Sequence, residues 1–151
     1  MPEGNNLPIY FECLGIETIP LTQYERTQSW VADAITSRNK QPGEITFIFT
    51  SDEELLKINQ QFLSHNDYTD VITFDYSANE IISGDIYISV ERVNENASKF
   101  GVKEAEELAR VMIHGVLHLL GLKDKEAYQI KEMRKEEEKE LTLCPFLSCS
   151  T

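Results

Sequence analysis

Positive charge is scarce in this chain. Fourteen lysines and arginines stand against 26 aspartates and glutamates, for a formal net charge of −12. Affinity for phosphate backbones depends on basic surface, so this balance argues against tight, non-specific binding to naked nucleic acid. Any nucleic-acid function has to be local or delivered by a partner. Cysteine is scarce as well: Cys13, Cys144 and Cys149 are odd in number and form no CxxC pattern. Free thiols in a reducing compartment are expected rather than a disulfide frame, and a metal role for Cys144 and Cys149 is the weaker reading. No apolar run approaches the roughly 20 residues of a membrane-spanning helix, and the start lacks a basic-then-apolar leader, so a cytoplasmic protein without a membrane partner is expected. With 151 residues, 41% of them hydrophobic, a single domain over 1–151 has enough apolar material for a core.

Histidine occurs only three times, and two of the three fall in the most apolar run, Met112-Ile113-His114-Gly115-Val116-Leu117-His118-Leu119-Leu120-Gly121. Four residues apart on an α-helix, His114 and His118 point within roughly 40° of each other, one turn apart. Two imidazoles so placed can grip one metal ion, and zinc is the common case. Asp124 is the candidate third ligand. On a continuing helix it would lie about 9 Å further along the axis, out of reach. Gly121 is placed to end the helix in a left-handed turn and bring the carboxylate back. The competing reading is a pair of hydrogen-bonded core histidines. Leu108, Val111, Met112, Ile113, Val116, Leu117, Leu119 and Leu120 make the helix apolar nearly all round, and burying two rings there is costly unless something satisfies them.

Three ligands leave zinc an open position, where it lowers the pKa of bound water to about 7 and polarises a carbonyl or phosphoryl oxygen. The attacking water would then be activated by the metal, with no protein base assigned. Peptide hydrolysis of the HExxH type needs a glutamate after the first histidine, and position 115 is glycine. Lys123 and Lys125 flank Asp124, where either could approach a substrate phosphate or simply be solvated.

Along the chain, Ile9-Tyr10-Phe11 suggests a first strand. Thr22-x-x-Glu25 has the form of a capping box, opening a helix to about Arg38, and Pro42-Gly43 is expected to break the chain. Glu44–Thr50 alternates as a strand, which makes a parallel crossover with the first. Ser51-x-x-Glu54 is a second capping box, for a helix carrying Leu55, Ile58 and Phe62. A polar loop with His65 and Asp70 precedes two strands, 71–76 and 86–89, expected to pair as an antiparallel hairpin. Val90, Val93, Ala97 and Phe100 mark a helix stopped by Gly101, and the histidine helix begins near Glu104. Residues 126–141 read as a solvated helix with a thin Ile130/Met133 stripe and Glu132–Lys135 and Glu136–Lys139 pairs. From about 142 the chain is expected to be irregular.

His114-Gly-Val-Leu-His118-Leu-Leu-Gly121 resembles the signature of the YbeY family, bacterial metal-dependent endoribonucleases of rRNA maturation. Ile58-Asn59-x-x-Phe62, Thr69-Asp70-Val71-Ile72-Thr73-Phe74 and Gly84-Asp85-Ile86-Tyr87-Ile88-Ser89 agree in order and spacing from about Glu44 to Leu141. The resemblance implies an α+β fold, a small mixed four-stranded sheet packed with about five helices, the metal-binding helix central. It implies zinc, single-stranded RNA as substrate, processing of the 16S rRNA 3′ end, and ribosome quality control. The implied partners are rRNA, the small ribosomal subunit, and a ribosomal protein or assembly GTPase. Two departures stand out. The family's third ligand is usually histidine where this chain has Asp124, and its arginine and lysine after the aromatic residue are here Leu63 and His65. His65 could substitute as a donor. A non-catalytic assembly factor with a structural metal, and a metal-dependent hydrolase of another substrate, are the alternatives.

Overall fold

The computed structural model describes residues 6–64 and 68–147. Strands and helices follow in the order β1 (Ile9–Leu14), α1 (Tyr24–Thr36), β2 (Gln41–Thr50), α2 (Asp52–Leu63), β3 (Val71–Asp75), β4 (Ile81–Ser89), α3 (Val90–Phe100), α4 (Glu104–Leu119) and α5 (Ala127–Leu141). The sheet runs β1-β2-β4-β3, with β1–β2 and β2–β4 parallel and β3–β4 antiparallel. This is the mixed four-stranded sheet with five helices that the family likeness implied. None of the described helices is long and apolar enough to cross a membrane.

Alternation decides which side of the sheet is core. Ile45, Phe47 and Phe49 on β2 stand opposite Gly84, Ile86 and Ile88 on β4, and the large side chains among them are fully buried. They pack with Trp30, Val31 and Ile35 of α1 and Met112, Ile113, Val116 and Leu117 of α4 in one apolar cluster. Gly115 is what lets α4 approach. A Cβ there would come 2.8 Å from Ile86 Cγ2, so position 115 faces the sheet, away from both histidines' open side. α2 meets the opposite sheet face through a chain of rings, Phe62–Phe74 at 5.8 Å and Phe74–Tyr87 at 5.7 Å. α4 therefore lies between the sheet, α3 and α5, and it meets the sheet at both β3 and β4.

Four local expectations change. The Thr22 box does not form: α1 starts at Tyr24, its N-cap is Gln23 with no side-chain cap, and Thr27 Oγ1 instead donates to Gln23 O at 2.7 Å. Pro42-Gly43 does not break the chain. Gln41 and Pro42 pair with Ile81 and Ile82, and a register shift before Ile45 absorbs the residue that lacks an N–H. β4 begins at Ile81, five residues earlier than the alternation marked. Glu136 and Glu140 pair with Arg38, just past the end of α1, so a long-range contact takes Glu136 in place of Lys139. Ser51 does cap α2, accepting from the Glu54 N–H at 3.2 Å.

Candidate metal centre

His114 and His118 stand one turn apart on α4, ring centroids 4.6 Å apart and planes at 83°. The helix ends as its glycine requires. Gly121 takes φ +104°, its N–H donates to His118 O at 2.9 Å, and the Leu122 N–H donates to Leu117 O at 3.0 Å. These are the two bonds of a Schellman turn, which satisfies the last carbonyls while reversing the chain. The reversal carries Asp124 back over the helix end. Its Oδ2 lies 3.3 Å from His114 Nε2 and 3.4 Å from His118 Nε2. One ligand atom from each of the three residues lies within 4.8 Å of the others, a group that could hold a metal ion.

Both imidazoles are oriented from behind. His114 Nδ1 is 2.6 Å from Glu137 Oε2 on α5, and His118 Nδ1 is 3.0 Å from Leu122 O. A carboxylate and a carbonyl only accept, so each Nδ1 carries a hydrogen, which leaves Nε2, the atom on the Asp124 side, as the nitrogen that can ligate when the ring is in its neutral form. A histidine whose far nitrogen donates to a carboxylate is the usual support for a metal ligand. The donor set, two imidazole nitrogens and one carboxylate oxygen, therefore suits a divalent transition metal.

Glu137 is 4% exposed and sits in a small network: Arg110 Nη1 donates to its Oε1 at 3.1 Å, and Arg134 Nη1 approaches to 3.7 Å. Burial alone would raise its pKa. The hydrogen bond and charge of His114, with Arg110 and Arg134, outweigh that and hold the carboxyl below its ordinary value. Burial likewise disfavours a charged His114, yet the bond to Glu137 and the charges of Glu137, Asp124 and Asp70 leave its pKa above the ordinary value. Asp70, beside them, is pushed up by burial.

The three residues open on a hollow of about 540 Å³ whose other walls include Asn59, Leu63, Tyr68, Asp70 and Thr73. Leu63, where the family pattern has arginine, is thus at this rim. Lys123 borders a different hollow, with Tyr128 and Lys131, and Lys125 is exposed, its backbone N–H donating to Gln129 Oε1 at 3.1 Å. His65 lies outside the described residues, as does Cys149. Cys144 is buried, and that burial pushes its thiol to about 11, which makes it a core residue. Glu137, Arg110 and Asp70 carried no functional reading in the sequence. A signal for Glu137 was there: Met133, Glu137 and Glu140 repeat at helical spacing, so a carboxylate stands in the buried stripe of α5.

A family model described as Endoribonuclease YbeY matches residues 16–144. Among similar proteins, an Endoribonuclease YbeY from Flavobacterium psychrophilum is 56% identical over 115 residues, covering 76% of this chain and 82% of that protein. Its counterpart of the same name from Bacteroides thetaiotaomicron is 39% identical over 137 residues, 91% of this chain and 99% of the other. Among solved structures, the solution structure of TM1509 from Thermotoga maritima superposes with a TM-score of 0.61 at 28% identity, covering 89% of this chain and 87% of that one.

Proposed function

Because the chain belongs to the YbeY family of endoribonucleases, we propose that it is a zinc-dependent endoribonuclease that cuts single-stranded RNA at His114, His118 and Asp124. The observation that carries this is the convergence of three donor atoms at the mouth of a hollow, with both far imidazole nitrogens already committed to acceptors. A zinc ion bound there supplies Lewis acidity toward a phosphoryl oxygen and makes water a stronger acid. The chain's own part is orientation. Glu137 and Leu122 O hold the two rings in the ligating tautomer, and His114, with Arg110 and Arg134, offsets the burial that would otherwise favour a protonated Glu137. Position 115 faces Ile86, so no side chain from the residue after the first histidine reaches the substrate, which separates this site from HExxH peptidases.

The substrate we propose is rRNA, at the 3′ end of 16S, in maturation and ribosome quality control in the cytoplasm. A net charge of −12 supports a delivered substrate: the small subunit, with a ribosomal protein or assembly GTPase, would present the strand that the acidic surface does not attract unaided. Lys123, Lys125 and His65 remain the proposed phosphate contacts around the loop, and 1–151 the proposed single domain. One observation favours a second reading, a non-catalytic assembly factor with a structural metal. Leu63 lines the hollow where the family pattern carries arginine.

The test pairs a zinc assay with cleavage of a labelled single strand by wild type and His118→Ala. About one zinc per chain and cleavage lost in the variant are expected. Zinc-loaded wild type that leaves single strands intact, while His118→Ala still folds and restores growth to a deficient strain, would establish the second reading instead.

A further inference from the structure

Two exposed apolar side chains from different helices face one hollow beside the metal centre. Phe100, the last residue of α3, is 59% exposed, and Ile130 on α5 is 49% exposed. Between them opens a space of about 410 Å³ that reaches the buried side chains of Val111 and Met133. This space shares Asp70, Val71, His114 and Asp124 with the 540 Å³ hollow of the metal centre. Two of the three candidate ligands, His114 and Asp124, therefore stand on the wall between two adjoining concavities, and a chain-like substrate crossing them would place successive units in both.

The lining decides which unit suits the second space. Asp70, Glu107, Asp124 and Glu137 contribute four carboxylates against the guanidiniums of Arg110 and Arg134. Arg110 is already committed to Glu137 at 3.1 Å and Glu138 at 2.7 Å. With Asp124 given to the metal, three carboxylates still face two guanidiniums, so away from the metal the hollow offers a phosphate no net positive charge. A neutral, flat, apolar-faced group with a polar edge needs none. Phe100 offers an exposed aromatic ring, and Asn96, one turn before it on α3, lines the same hollow with an amide-bearing side chain. Arg134 is mostly exposed, and its one ion pair among the described residues is the loose 3.7 Å approach to Glu137. It keeps donors free for an acceptor edge.

We propose that this second hollow is a nucleobase subsite: one base of the RNA strand stacks on Phe100 and is read at its edge by Asn96 and Arg134. The assignment rests on the endoribonuclease reading above and names where the strand runs. Proteins that hold single strands stack bases on aromatic rings, and Phe100 supplies an exposed ring beside the metal centre. Base selectivity next to the cut would come from Asn96 and Arg134, because the ring itself accepts any base.

The test uses the full-length zinc protein and a short 2′-O-methyl single strand confirmed to remain uncut, with binding followed by fluorescence anisotropy. A single abasic residue is walked along the strand. At one position, loss of the base should weaken binding to wild type about tenfold, and Phe100→Ala should weaken the intact strand by the same factor. In Phe100→Ala the same abasic replacement should be silent. Phe100→Trp should restore binding, while Phe100→Leu, which keeps bulk without a ring, should behave as Ala. Binding by Phe100→Ala equal to wild type for every strand would overturn the subsite and leave the apolar rim to a protein partner. Equal loss for intact and abasic strands at every position would overturn it too, since the ring would then act on the fold or backbone. Cleavage of an unmodified strand is measured alongside. Wild type that cuts while the Phe100 variants bind normally refutes the subsite alone, whereas wild type that never cuts refutes the nuclease reading.

Discussion

Replacing Glu137 by glutamine isolates what the second layer of the centre contributes. The side chain keeps its size, and one oxygen can still accept from His114 Nδ1, but the charge that opposes Arg110 and favours a proton on His114 is gone. Loss of such an outer partner lowers metal affinity by about 10- to 100-fold, or about 1.4–2.8 kcal/mol. Stability should fall as well. Removing one partner of a buried ion pair costs about 3–5 kcal/mol at the extreme. Arg110 retains Glu138 at 2.7 Å and His114 retains an acceptor, so about 1–2 kcal/mol is expected for the metal-free protein. Zinc affinity is measured by competition with a chromogenic chelator, and stability by thermal unfolding of the metal-free form. An NMR titration of His114 supplies the independent readout: its raised pKa should drop toward or below the ordinary value. Zinc affinity within twofold of wild type, in a variant whose His114 pKa has dropped, would refute the idea that Glu137 tunes the centre.

Other outcomes follow from the same geometry. Because the folded-state pKa of His114 is raised, its contribution to metal-free stability is fully present below about 6.5 and is lost as pH rises through the folded value. Zinc needs the neutral ring, so zinc affinity should climb across that same interval; melting curves with and without zinc should therefore slope in opposite directions, and parallel slopes would contradict the assignment. Glu137, held low, adds stability that is present above about 4.5 and lost as pH falls through its folded value, which a Glu137→Gln difference curve in acid would show. Gly115→Val should destabilise by about 2 kcal/mol or more in denaturant unfolding, since added carbon meets Ile86 with no room to yield. Leu63→Arg places a guanidinium at the rim of the 540 Å³ hollow; RNA affinity should rise and its salt dependence steepen by about 0.7 in log–log slope, and an unchanged slope would show that no phosphate passes there.

Much of the centre is legible in local sequence because its parts lie within eleven residues. Helical spacing sets His114 above His118, and a glycine that tolerates φ +104° turns the chain so that Asp124 returns. Short-range sterics govern all of this. The alternation of Ile45, Phe47 and Phe49 likewise announces a buried face without reference to the rest of the chain. The Thr22 box failed for a related reason: a capping signature competes with its neighbours, and Gln23 with Thr27 supplied the other start.

What lies beyond local spacing was decided in three dimensions. Residues 126–141 look solvated in sequence because charge dominates them, yet α5 turns Glu137 and Glu140 inward to Arg110, Arg38 and His114, partners 23 to 102 residues away. A carboxylate's desolvation is tolerable only where opposite charge meets it, and only packing of α5 on α4 and α1 brings that charge. The hollow beside Phe100 arises in the same way, from the ends of α3 and α5 that no sequence window contains together. Sequence alone therefore determined the candidate ligand set and the turn that gathers it, through dihedral preference and helical period. Tertiary structure decided which groups hold the ligands and where a substrate has room, because long-range electrostatics and cavity shape depend on elements that meet only once the chain is folded.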